Sequence, residues 1–120
     1  MAKRILIIED DPDILEILEI VFQDEGFDIE SKRNGMSIDE IGLLHPDLIL
    51  LDVRISGFEK TGAQLCAELK ERAETGKIPV ILLSAEAELA QIAKKCCADG
   101  HVSKPFDIPT LVNKLRELIP

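Results

Sequence analysis

The chain has 120 residues, 46% hydrophobic and 31% charged, which suits one soluble domain that buries its own core without cross-links. No apolar run approaches the ~20 residues needed to cross a bilayer, and MAKRILIIEDD meets acids too soon for a secretory signal, so a cytoplasmic protein with no membrane contact is expected. A net charge of −9 argues against direct nucleic-acid binding, which relies on a basic face.

RILIIE, residues 4–9, is a buried strand, and DPDILEILEIVFQDEG after it repeats Ile14, Leu15, Leu18 and Val21/Phe22 at helical spacing, with Pro12 in the first turn and Gly26 as the stop. FDIES, 27–31, alternates as a weaker strand. A short helix from about Met36 to Leu44 follows and breaks at His45-Pro46, with His45 a surface residue rather than a ligand. DLILLD is the third strand. Residues 62–74 form an amphipathic helix with Leu65, Cys66 and Leu69 inward, ended by Gly76; PVILLS, 79–84, is the fourth strand. An Ala-rich helix over 86–98 turns at Asp99-Gly100 into a short strand, HVS. The closing helix carries Leu111, Val112, Leu115, Leu118 and Ile119 as its apolar stripe. Cys66, Cys96 and Cys97 lack the paired spacing of a zinc or redox motif and read as reduced thiols packed against helices.

Five strand–helix units predict an α/β fold: a single-domain, five-stranded parallel sheet flanked by five helices, because parallel strands need crossover helices and bury both faces. Right-handed crossovers leave few topologies, and the flavodoxin-like order 2-1-3-4-5 is the expected one. All strands then finish on one edge. Glu9-Asp10-Asp11, Asp52, Ser84 and Ser103-Lys104-Pro105 fall along that rim, beside the switch point where ligands bind. Crowded carboxylates repel: at ~4 Å and an effective dielectric of ~20, each pair costs on the order of 4 kcal/mol. A hard divalent cation such as Mg²⁺ and the ammonium of Lys104 offset this, and a spare carboxylate beside them suits phosphoryl transfer onto an aspartate.

These residues resemble, across the whole chain, the receiver domains of two-component response regulators, a CheY-like fold. Asp10-Asp11 after the first strand, Asp52 after the third, Ser84-Ala85 after the fourth and Lys104-Pro105-Phe106 after the fifth match that family's motifs in order and spacing. The resemblance implies that Asp52 accepts a phosphoryl group from a sensor histidine kinase or a histidine phosphotransfer protein. It implies Mg²⁺ held by Asp11, Asp52 and the Arg54 backbone carbonyl, with Asp10 acting through water. It gives Ser84 and Lys104 the phosphoryl oxygens, makes the Lys104-Pro105 peptide cis, leaves space at Ala85, and puts Arg54 and Glu86 on a rim that influences phosphoryl lifetime. The domain is then a switch rather than an enzyme, and the face over 86–119 is the expected contact for a downstream protein or a dimer partner. Residues 1–120 are read as one receiver domain with no output domain within them, which fits both a stand-alone receiver and a piece of a longer regulator.

Two departures stand out. ISGFEKTG after Arg54 has Ser56 where proline is usual and a two-residue excess before Gly62. His101, three residues before Lys104, stands where relatives often carry Tyr or Phe as a rotamer switch, and reads either as that switch or as an exposed histidine. Two other functions compete. A magnesium-dependent haloacid-dehalogenase-like hydrolase would use Asp11-Pro12-Asp13 but lacks the Gly-Thr expected soon after. A pseudo-receiver interaction module would have lost an acidic or lysine position, and none is lost.

Overall fold

The computed structural model describes residues 2–55 and 58–119; Ser56, noted above for standing in place of proline, lies outside the described residues. The elements are β1 (Arg4–Ile8), α1 (Pro12–Asp24), β2 (Asp28–Lys32), α2 (Ile38–Leu44), β3 (Leu48–Asp52), α3 (Gly62–Glu71), β4 (Val80–Ser84), α4 (Leu89–Lys95), β5 (Gly100–Ser103) and α5 (Ile108–Leu118). All strand pairs are parallel and the sheet order is β2-β1-β3-β4-β5, as expected from the alternation of units.

Alternation along each strand divides the aliphatic runs between two cores, because successive side chains leave a strand on opposite faces. Leu6, Ile8, Ile49, Leu51, Val80 and Leu82 pack with Ile41 of α2, Leu65, Cys66 and Leu69 of α3, and Leu89 and Ala93 of α4. Ile5, Ile7, Leu48, Leu50, Ile81, Leu83 and Val102 pack on the other face with Leu15, Leu18 and Phe22 of α1 and Leu111 and Leu115 of α5. Each such side chain taken fully out of water stabilises the fold by about 1.5–3 kcal/mol, and β3 and β4 are buried at every position.

Two helices are shorter than their apolar patterns predict. α3 stops at Glu71 rather than running to 74, because the chain after it satisfies the orphaned carbonyls locally: Thr75 Oγ1 donates to Leu69 O at 2.7 Å and Gly76 N to Arg72 O at 2.7 Å. Lys70 Nζ reinforces that turn by donating to Ile78 O at 2.8 Å and Asp99 Oδ2 at 2.6 Å. α4 begins at Leu89 rather than 86, since Glu88 makes no side-chain cap and the Glu86 N–H bonds to Ser84 Oγ instead. It ends by Lys95, with Cys97 at φ 62°. His45 ends α2 in the left-handed region at φ 49° and is exposed, in keeping with a surface helix-ender. The cysteines are free thiols; Cys66 and Cys96 are buried, and burial pushes the Cys66 thiol well up.

Two glycines set loop positions at the strand-end edge. Gly62 opens α3 with its N–H on Val53 O at 2.7 Å, and a Cβ there would overlap the Asp52 carbonyl. Gly35, after β2, lies under the ring of Phe58, which fills the space a side chain would need. Gly62→Ala is expected to cost about 1–3 kcal/mol, because backbone rather than a flexible side chain must move; urea unfolding of the variant against wild type measures it.

Candidate functional site

The parallel strands deliver their polar ends to one edge. Asp52 is the last residue of β3 and 5% exposed; Glu9, just after β1, is fully buried; Ser84 ends β4 and is buried as well. Lys104 follows β5, its N–H bonded to Ser84 O at 2.9 Å, and its peptide to Pro105 is cis. The ammonium reaches into the edge and pairs with Glu9 Oε1 at 2.8 Å and Asp52 Oδ2 at 3.4 Å. Asp52 Oδ1 accepts the Arg54 N–H at 3.2 Å. Ser84 Oγ accepts the Glu86 N–H at 3.0 Å, which leaves its own hydroxyl hydrogen available to donate.

A cleft of about 460 Å³ opens over these groups, lined by Asp10, Asp52, Arg54, Ser84, Ala85, Glu86, Ala87 and Lys104. Carboxylate oxygens of Glu9, Asp10 and Asp52 lie within 4.8 Å of one another. Glu9 Oε1 is a buried oxygen whose partner is the Lys104 ammonium at 2.8 Å. Burial pushes the Asp52 carboxyl up from 3.8 to about 7, and the neighbouring Glu9 adds to it against the pull of Lys104 and the Arg54 N–H. Burial alone would lower the Lys104 pKa, but Glu9 and Asp52 together outweigh it and raise it. Hard oxygens converging on one point with an excess of negative charge suit a small divalent cation.

One expected ligand lies apart from the acidic cluster of the described residues. Asp11 is exposed and caps α1: its Oδ1 accepts the N–H of Asp13 at 2.9 Å and of Ile14 at 3.3 Å. The first turn of a helix leaves N–H groups without partners, and an aspartate before a proline at the first helical position is placed to take them. The acidic pair facing Asp52 is therefore Glu9-Asp10, one residue earlier than Asp10-Asp11. The Asp-Pro step carries this signal, and Glu9 has no role in the expected ligand set although it falls on the same rim.

Of the other predicted site residues, Asp10, Asp52, Arg54, Ser84, Ala85, Glu86 and Lys104 come together in the cleft. His101 is exposed on β5 opposite Leu82, and neither it nor the exposed Pro105 lines the cleft. Asp11 and Asp13, which the hydrolase alternative requires, both stand exposed at the start of α1 and do not line the cleft either.

Comparison with known proteins gives the family. The response regulator receiver domain model matches residues 5–116. The DNA-binding response regulator MtrA of Mycolicibacterium smegmatis is 35% identical over 97% of this chain and 50% of its own length. Among solved structures, the receiver domain of a signal transduction histidine kinase from Syntrophus aciditrophicus is 32% identical with a TM-score of 0.84, covering 98% of this chain and 90% of that one. The response regulator TrrA of Thermotoga maritima, solved with Mg²⁺ and BeF, is 28% identical with a TM-score of 0.80, covering 98% and 99%. The chain belongs to the response regulator receiver domain family, whose members act in two-component phosphorelay signalling. It spans about half the length of the curated regulators it matches. No helix among the described residues is long and apolar enough to cross a membrane.

The raised Asp52 pKa sets a pH dependence. The folded protein holds this proton more tightly than the unfolded chain, so the stabilisation is complete below the ordinary value of 3.8 and is lost as pH rises through about 7. Metal-free Asp52→Asn is expected to exceed wild type in stability by about 1–3 kcal/mol at about pH 8, with the gap closing toward about pH 5. Urea unfolding of both proteins across that range checks it; a gap that widens on acidification contradicts the assignment.

Proposed function

We propose that Asp52 is the phosphoacceptor of this receiver domain, taking its phosphoryl group from a sensor histidine kinase or a histidine phosphotransfer protein. The observation that carries the reading is the Lys104 ammonium lying between the Glu9 and Asp52 carboxylates at the floor of an open cleft. The Asp52 backbone is locked by β3, so its carboxylate is held toward the cleft without loss of orientation during attack. Lys104 and the Ser84 hydroxyl are placed to take phosphoryl oxygens as charge develops on them. Ala85 has no side chain beyond Cβ to fill the space above Ser84.

The convergence of Glu9, Asp10 and Asp52 carboxylate oxygens fits a resident Mg²⁺. Asp10, Asp52 and the Arg54 carbonyl are the groups we assign to hold it, with Glu9 behind them; Asp11 has no part in this. When bound, the ion supplies positive charge against the carboxylates and the incoming phosphoryl oxygens.

Phosphorylation adds roughly −1.5 to −2 charge and three acceptors beside Ser84 and Lys104, which lead directly to α4, β5 and α5. We assign the readout to that face, over 86–119, as contact for a downstream protein or a second receiver, with the domain acting as a switch rather than an enzyme. The DNA binding in the name of MtrA belongs to a protein twice as long as the aligned segment, and a net charge of −9 disfavours DNA contact by this domain. We place the domain in the cytoplasm, where a kinase partner would meet it.

Intact mass after incubation with acetyl phosphate and Mg²⁺ tests the acceptor: wild type is expected to gain one phosphoryl group, and Asp52→Asn none. A gain on Asp52→Asn equal to wild type defeats the assignment. The ligand set is tested separately by Mg²⁺ titration. Asp10→Asn is expected to weaken binding by about tenfold or more, whereas Asp11→Ala should leave Mg²⁺ affinity intact and lower stability by about 1 kcal/mol through loss of the α1 cap.

A further inference from the structure

We infer that the groove between the C-terminal parts of α2 and α3 is a self-association surface, in which Leu43 of one receiver enters the hollow left open beside Gly42 of a second copy. Gly42 stands inside α2, where glycine is less favourable than alanine because of the backbone freedom it gives the unfolded chain. Nothing within the domain calls for it: its φ is not positive, and a Cβ there would meet only Thr75 Cγ2 at 3.8 Å, an ordinary contact. The missing methyl instead deepens a groove of about 330 Å³ walled by Ile38, Arg72 and Thr75. Leu43, the next residue, is 78% exposed, the most of any large aliphatic among the described residues. A projection and a hollow side by side on one patch suit a twofold contact, because each copy then offers both to the other.

The groove is preformed. Arg4 Nη1 donates to Leu44 O at 2.6 Å and fixes the end of α2, and the buried Thr75 hydroxyl donates to Leu69 O at 2.7 Å and fixes the turn after α3. Little ordering is then needed on contact, which lowers the cost of association. Arg4 is the first residue of β1, so this end of α2 lies at the edge where the strands begin, whereas the Asp52 cleft lies where they finish. A second copy seated here leaves both the cleft and the face over 86–119 open.

Charge favours a second copy at this patch. Its rim carries both signs, with Asp39 paired to Arg72 at 2.7 Å and with His45 and Glu74 beside them. Both members of the pair are exposed and weakly held, so each can turn to its counterpart across a twofold axis. The rival apolar face is on α1, where Ile17 and Ile20 stand exposed beside Asp13, Glu16, Glu19 and Asp24, with no lysine or arginine in the helix. Two copies meeting there would bring like charges together. Two leucines in two shallow grooves make a small contact, so the dimer is weak and concentration-dependent.

Sedimentation equilibrium of the full chain from about 10 μM to about 1 mM tests this, with wild type, Leu43→Ser, Gly42→Ala and Ile20→Ser compared. Wild type is expected to associate as concentration rises, Leu43→Ser to associate roughly tenfold or more weakly, and Ile20→Ser to match wild type. Gly42→Ala separates the contact from the fold: its methyl fills the hollow, so association should weaken while the urea midpoint, measured at low concentration, rises. A wild type that stays monomeric at about 1 mM overturns the inference. Association that keeps wild-type strength in Leu43→Ser or Gly42→Ala, or that is lost in Ile20→Ser, overturns it as well.

Discussion

The ammonium of Lys104, wedged between the carboxylates of Glu9 and Asp52, is the interaction on which the strand-end edge depends. Both acids are almost wholly removed from water, and a buried charge left without a partner costs about 3–5 kcal/mol. The sheet prevents the acids from relieving their repulsion by separating, because β1 and β3 are hydrogen-bonded neighbours whose aliphatic residues are packed on both faces. Packing therefore supplies the rigidity, and Lys104 supplies the charge that makes this rigidity tolerable. Glu9 and Lys104 come from opposite ends of the chain and are brought together by the fold of the sheet.

That arrangement leaves the edge short of positive charge. One ammonium faces three converging carboxylates, and the Asp52 carboxyl is pushed up toward neutrality. Each sign points the same way: the site carries an excess of negative charge, and a cation is the species that offsets it. Membership of the receiver family and the proposed role of Asp52 are in this sense one physical statement. Stability given up at the cleft is available as affinity for whatever completes it.

Much of this was legible in the residues because the dominant forces there are periodic. Continuous runs such as LILLD and VILLS can only be buried on both sides, which dictates a parallel sheet and places Asp52, Ser84 and Lys104 on one edge. Asp11 caps α1 because two demands compete for adjacent acids. The helix start needs a cap and the cleft needs a ligand, and the proline at position 12 decides which residue goes where. The ends of α3 and α4 were likewise hidden, since apolar spacing continues past the point where Thr75, Lys70 and Ser84 divert the backbone hydrogen bonds. Such choices are made by single side-chain atoms, and periodicity does not register them.

The contact between Phe58 and Gly35 joins the segments that follow β3 and β2, on either side of the segment that follows β1. The ring occupies the volume that any side chain at position 35 would claim, so these two sites form a lock and key in which one partner must be empty. Homologous chains that place a bulky residue at 35 must shrink or redirect the residue at 58. Positions 35 and 58 are therefore constrained as a unit.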